Sequence, residues 1–144
     1  MDKQSTSRSG KNKKGEAVAK LDIAATPRSP EIKLDPEAGV FSIKGTSMPE
    51  NVNQFYASVM KALDQYIQHP ADKTQVIFSL EYINSSSSQL LLALLYKIRD
   101  LVDEGHHVTI EWHYMVDDED IYDTGKSYSE LSGLTFNFYE HQYQ

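Results

Sequence analysis

Four consecutive serines, Ser85 to Ser88, are the residues of this chain whose type and position best suit chemistry. They follow Asn84 at the end of an apolar, strand-like segment and lead into a leucine-rich segment with the pattern of a helix. The first turn of such a helix presents unpaired N–H groups and the positive end of the helix dipole, which favour a phosphate. The run predicts a helix N-cap at one of the serines and a phosphorylation site, although most serines in this position are ordinary caps.

The leucines that follow the serines determine what the corner can bind. Leu90 to Tyr96 are apolar around nearly the whole predicted helix, and one face must pack on the sheet. Leu90 and Leu92 then either form a surface patch or belong to a buried first turn. We predict a partner-binding patch that combines these two leucines with the polar residues beside them, Asn84, Ser86, Ser87 and Ser88.

The histidines and one acidic run are the other residues that could bind a metal. The five histidines fit no familiar metal-site spacing, so we predict no metal and no cofactor. They are His69, His106, His107, His113 and His141. The acidic run Asp117 to Asp120 lacks the alternating ligands and the glycine of a calcium loop, and it predicts the first turn of a helix.

No catalytic motif is visible, since the sequence has no nucleophile elbow, no glycine-rich phosphate loop and no His-Glu-x-x-His pattern. We therefore predict a protein that is not an enzyme. One alternative is a small hydrolytic or ligand-binding domain that uses a serine of the same corner. That alternative requires a base such as His113 close to the serine, which the sequence does not establish.

Charge and composition exclude several classes. The chain has 144 residues, a net charge of -7 and no cysteine, so disulfides and thiolate sites are excluded and a cytoplasmic location is expected. Residues 1–20 carry six basic and two acidic side chains, a net charge of +4, which leaves -11 for residues 21–144. We predict a disordered basic tail over 1–20 and a folded domain over 21–144. The acidic domain argues against nucleic acid, and no apolar run is long enough for membrane insertion.

The periodicity predicts five strands and three helices in the order β-β-α-β-α-β-α-β. Such alternation indicates an α/β fold with a mixed sheet, in which the first two strands form a hairpin. The continuously apolar segment Val76-Ile77-Phe78 predicts a central strand that is covered on both faces. The predicted segments are 30–35, 40–44, a helix from 49 to 70, 76–82, a helix over 86–104, 108–114, a helix over 117–130, and 134–138.

Four segments within this pattern resemble the SiaC family of bacterial regulatory phosphoproteins. They are Thr26-Pro27, Pro49-Glu50-Asn51, Glu81-Tyr82-Ile83-Asn84-Ser85-Ser86-Ser87, and Glu111-Trp112-His113-Tyr114. The resemblance runs from about residue 26 to 140 and implies a single STAS-like domain, similar to anti-sigma-factor antagonists.

The resemblance also implies a function. In that family the hydroxyl residue directly after Tyr-Leu/Ile-Asn is phosphorylated by a dedicated serine/threonine kinase, and a PPM-type phosphatase removes the phosphate. The dephosphorylated form binds and activates a diguanylate cyclase. The matching acceptor here is Ser85, with Ser86 and Ser87 as less favoured candidates. The family's best-known member has threonine at the acceptor position, so serine at this position is a departure from it. An alternative that uses the same serine is a STAS-like antagonist in a sigma-factor partner switch.

Overall fold

A computed structural model describes residues 20–143, so the predicted basic tail lies outside the described residues except for Lys20. No helix in this part of the chain is long and apolar enough to cross a membrane. The elements are β1 (Leu21–Ile23), β2 (Glu31–Asp35), β3 (Val40–Ser47), α1 (Val52–Gln68), β4 (Lys73–Ile83), α2 (Ser85–Asp103), β5 (His107–Met115), α3 (Glu119–Ser132) and β6 (Asn137–His141).

The six strands form one mixed sheet, and their order across the sheet is their order along the chain. β1, β2 and β3 pair antiparallel, whereas β3 to β6 are all parallel. The predicted hairpin, the mixed sheet and the three helices are confirmed. The structure adds one strand, β1, to the five that were predicted. It has only three residues, too few to show an alternating pattern.

All three helices lie on one face of the sheet. Each crossover adds the next strand on the same side, and right-handed crossovers in one direction place their helices together. Accordingly, α1 packs on α2 and α2 on α3. In β4, Val76, Phe78 and Leu80 are buried, while Gln75 and Ile77 are only partly covered on the opposite face. The prediction that this strand is covered on both faces is wrong, because no helix among residues 20–143 covers the second face.

The core beside β5 is built around Trp112, which is 1% exposed. Its ring lies 5.4 Å from that of Phe78 and 5.9 Å from that of Phe136. Its indole N–H donates to the backbone carbonyl of Ile121 in α3, at 2.9 Å. Gly125 faces the same ring, and a Cβ added there would lie 2.5 Å from the indole nitrogen. The glycine inside α3 therefore lets the helix approach the tryptophan.

We expect Gly125→Ala to destabilise the protein. Alanine would improve helix propensity by about 1 kcal/mol, but overpacking against a buried ring typically costs about 1–3 kcal/mol. Urea unfolding should show a lower midpoint for this variant. In a Trp112→Phe background, which removes the indole atoms nearest to Gly125, the same substitution should cost less. A higher midpoint for Gly125→Ala alone would contradict this packing.

Candidate functional site

The candidate site is the corner between β4 and α2. The N-cap of α2 is Asn84, whose side-chain oxygen accepts a hydrogen bond from the backbone N–H of Ser87 at 2.8 Å. Its backbone carbonyl accepts from the N–H of Ser88 at 3.0 Å. The prediction of a serine N-cap is therefore wrong. Asparagine caps a helix as well as serine does, and it leaves Ser85 as the first residue inside the helix.

The four serines differ in accessibility. Ser85 and Ser86 are exposed, whereas Ser87 is completely buried. Ser88 is half-buried, and its hydroxyl lies 3.0 Å from that of Tyr128, which also donates to the Ser88 carbonyl. A modifying enzyme can approach the first two hydroxyls from solvent, while the other two are held inside the fold.

A buried chain of three hydroxyls holds the corner in place. The Ser47 hydroxyl donates to that of Ser87 at 2.8 Å and lies 2.6 Å from the hydroxyl of Tyr56. The backbone N–H of Asn84 also donates to the Ser47 carbonyl at 3.0 Å. The chain connects the end of β3, the helix α1 and the first turn of α2. Sequence reasoning missed it, because Ser47 and Ser87 are 40 residues apart along the chain and no local pattern links them.

Burial determines the protonation of the phenols that contact this corner. Tyr56 and Ser47 are both 0% exposed. Burial raises the pKa of Tyr56 to about 12, although the hydrogen bond with Ser47 acts in the opposite direction. Burial likewise raises the pKa of Tyr128, which is bonded to Ser88. Both phenols therefore keep their protons and can act as hydrogen-bond donors to the corner.

The surface around Ser85 is part apolar and part charged. Tyr82, at the end of β4, is 53% exposed, although no binding role was predicted for it. Leu90 and Leu92 are half-buried and pack against the core, so each leaves only part of its side chain open to a partner. Exposed Glu81 and Arg28 place charges of both signs at this edge, where the Arg28 carbonyl accepts from the Met48 N–H at 2.8 Å.

The same edge holds the N-termini of all three helices, each capped by an Asn or Asp side chain. Asn51 accepts from the N–H of Gln54, and Asp118 accepts from that of Ile121. The predicted acidic first turn is confirmed, since Glu119 and Asp120 begin α3. The three caps fix the loops that surround the serines.

The hydrolase alternative places its base at His113, which lies on the sheet face opposite to buried Trp112. The two ring nitrogens of His113 contact Glu111 at 2.9 Å and His141 at 2.7 Å. The Ser87 and Ser88 hydroxyls contact Ser47 and Tyr128 instead. The structure thus engages the histidine and these two serines in separate networks.

Comparison with known proteins assigns the chain to a family. The model of the SiaC family of regulatory phosphoproteins matches residues 23–141. This chain belongs to the SiaC family. An uncharacterised protein of Pseudomonas aeruginosa shares 26% identity over 128 residues, covering 86% of this chain and 98% of that protein.

Solved structures extend the comparison. The fold is similar to SiaC of Pseudomonas aeruginosa, with a TM-score of 0.75, 23% identity and coverage of 87% of this chain and 99% of that one. A second match, with a TM-score of 0.76 and 24% identity, is the structure of diguanylate cyclase SiaD in complex with its activator SiaC; it covers 85% of this chain and 99% of that one. At such identities the likeness establishes the SiaC fold, and family membership identifies a regulatory protein.

The buried phenol of Tyr56 predicts an alkaline loss of stability. Because its pKa is raised in the folded state, its contribution is fully present below pH about 10 and is lost as the pH rises toward 12. The free energy of unfolding of the native protein should fall in this range by up to about 1.4 kcal/mol per pH unit more than that of Tyr56→Phe.

Urea unfolding at a series of pH values from about 9 to about 11.5 measures this difference. This range includes the ordinary pKa of a phenol, 10.0, and approaches the raised pKa of Tyr56, about 12. Tyr82→Phe, which removes an exposed phenol, should keep the slope of the native protein. Parallel slopes for the native protein and Tyr56→Phe would show that folding does not hold the Tyr56 proton.

Proposed function

We propose that this SiaC family protein is a non-enzymatic, cytoplasmic phosphoprotein in which phosphorylation of Ser85 switches partner binding. The observation that carries the proposal is the position of Ser85, which is exposed at the start of α2 directly after Tyr82-Ile83-Asn84. A serine/threonine kinase and a PPM-type phosphatase would add and remove the phosphate. The proposed target is a diguanylate cyclase, because the structural relative SiaC is an activator of the cyclase SiaD. The dephosphorylated form would be the one that binds.

Burial distinguishes the candidate acceptors. Ser87 can be reached only if the first turn of α2 opens and the hydroxyl contact with Ser47 is broken. Ser88 would have to leave Tyr128. Ser85 and Ser86 need no such rearrangement. Between these two, Ser85 is preferred because it directly follows the Tyr-Ile-Asn segment that resembles the family's acceptor motif.

The proposed switch acts at the surface and leaves the fold intact. A phosphate at the first residue of a helix faces the positive end of the dipole and the N–H groups that precede the first helical bond, so the folded state tolerates the charge. A partner that covers the corner must instead strip water from a dianion, which is costly without a matching cation. Phosphorylation is therefore expected to weaken binding without unfolding the protein.

We expect the cognate kinase to label Ser85. Phosphopeptide mass spectrometry should locate the phosphate on Ser85 in the native protein, and Ser85→Ala should abolish labelling. The matched variants Ser86→Ala and Ser87→Ala should still be labelled. Exclusive labelling of Ser86, Ser87 or Ser88 with Ser85 unmodified would refute the assignment.

Charge at Ser85 should weaken binding to the cyclase of the same host. Ser85→Ala should bind as tightly as the unmodified protein, whereas Ser85→Asp and the phosphorylated protein should bind at least about tenfold more weakly, which corresponds to about 1.4 kcal/mol. Ser127→Asp, an exposed serine on α3, serves as the charge control and should bind normally. Titration calorimetry measures the affinities, and unfolding midpoints confirm that each variant is folded. Equal affinities for Ser85→Ala and Ser85→Asp would contradict the switch.

A further inference from the structure

A pair of histidines joins the last two strands on the uncovered face of the sheet. His113 is on β5 and His141 is on the edge strand β6, and Nδ1 of the first lies 2.7 Å from Nε2 of the second. Their rings are stacked, with centroids 5.0 Å apart. At this distance the two nitrogens share one hydrogen bond, so one carries the proton and the other keeps its lone pair. Because 28 residues separate the two histidines, no local pattern links them.

The other ring nitrogen of His113 is held by a carboxylate. Its Nε2 lies 2.9 Å from Oε1 of Glu111, and Oε2 of Glu111 accepts from the side-chain amide of Gln75 at 2.6 Å. An ionised carboxylate only accepts hydrogen bonds, so Nε2 of His113 must donate. Glutamate is ordinarily ionised above about pH 5, and the hydrogen bond with His113 lowers the pKa of Glu111 further. His113 therefore has Nδ1 alone available for His141.

This arrangement limits the number of protons that the pair can hold. Two neutral imidazoles satisfy the contact when Nε2 of His141 donates to Nδ1 of His113. One added proton is also accommodated, because an imidazolium on either strand can donate to the neutral ring of the other. A second added proton places an N–H on both facing nitrogens and like charges on rings that are 5.0 Å apart. The doubly protonated pair cannot keep the contact.

The residues on the same face do not lift this limit. His113 lies opposite Ser79 of β4 and Tyr139 of β6, and the ring of Tyr139 stacks on it at 4.9 Å. Lys44 of β3 pairs with Ser79, so its positive charge is in the same row of the sheet, two strands away from His113. Two neutral neighbours and a more distant cation leave the second protonation unfavourable.

The nearby carboxylates offset one imidazolium at most. Alternation along β6 places Glu140 on the face opposite to His141, where it lines a cleft together with Tyr114. The helices, with the acidic first turn of α3, lie on that same opposite face. Among residues 20–143, the carboxylate in contact with the pair is that of Glu111. One negative charge therefore faces two imidazoles.

The pair lies where β6 is tied to the loop before α3. The His141 carbonyl accepts from the backbone N–H of Val116 at 2.9 Å, and the Tyr143 hydroxyl donates to Oδ1 of Asp117 at 2.9 Å. As an edge strand, β6 has backbone hydrogen bonds to β5 on one side and to no strand of residues 20–143 on the other. A side-chain contact is therefore a sizeable part of what holds this end of the strand.

We propose that the His113–His141 pair is a pH-sensitive clasp, which holds the end of β6 against β5 at neutral pH and releases it in mild acid. The closed contact excludes the second proton, whereas the open form accepts it. Since an ordinary imidazole is protonated as the pH falls through about 6.5, the open form gains up to about tenfold over the closed form for each pH unit below that value. The contribution of the contact is thus fully present above this range and is lost as the pH falls below it.

The clasp does not depend on the proposed phosphorylation of Ser85, because neither histidine belongs to the β4–α2 corner. Its release would leave backbone groups at the end of β5 unpaired. Unpaired groups at a sheet edge are a place where a further strand can add. The pair would in this way make the edge of the sheet available in acid and close it at neutral pH.

Hydrogen exchange of the full-length chain, followed by NMR at about pH 7.5 and about pH 5.5, tests the clasp. The protection factor of the Val116 amide, corrected for the intrinsic pH dependence of exchange, should fall at least about threefold at the lower pH. The amide of Leu94, in the buried interior of α2, should keep its protection, which distinguishes local release from unfolding of the domain.

Two matched variants identify the responsible group. His141→Gln retains an amide that can donate to His113 but cannot take up a proton, so the protection of Val116 should be nearly equal at the two pH values. His107→Gln removes an exposed histidine at the other end of β5 and should keep the native fall. An unchanged protection of Val116 in the native protein, an equal fall in His141→Gln, or an equal loss at Leu94 would each overturn the proposal.

Discussion

The fixed start of α2 is the constraint on which the candidate site depends. Asn84 directly follows β4, and its side chain caps the N-terminus of α2. The buried hydroxyl of Ser87 connects the first turn of the helix to Ser47 and, through it, to Tyr56. Because Ser87 must point inward, the helical rotation of about 100° per residue carries Ser85 outward. The contrast between an exposed and a buried serine two positions apart is therefore a consequence of this cap and this hydroxyl chain.

The strand order has a second consequence for function. Since each crossover advances one strand in the same direction, the helices share one face and the other face is left to side chains of the strands. The helix N-termini and the serines gather at one edge, while Glu111, His113 and His141 gather on the uncovered face. Two chemically different surfaces thus arise from one simple topology.

Local patterns predicted most of the fold and the strand-to-helix corner that holds the candidate site, but not the contacts around that corner. Alternation and helical spacing located five strands and three helices, and the polar run located the corner. The same reasoning overlooked β1 and misjudged Val76-Ile77-Phe78, because an apolar run does not show how many faces are covered. The pairs Ser47–Ser87 and His113–His141 are 40 and 28 residues apart, and only the folded arrangement of β3 against α2 and of β5 beside β6 brings them together.

The position of Ser85 also bears on how a phosphate would act. A dianion in the interior would unfold a domain of this size, but at the first position of a helix its charge faces the dipole and unpaired N–H groups. Phosphorylation of Ser85 is therefore expected to cost the folded state little free energy. The free energy of a switch would instead appear as the cost that a partner incurs when it covers the phosphate. A site of this kind separates regulation of binding from stability of the fold, and the proposed switch requires this separation.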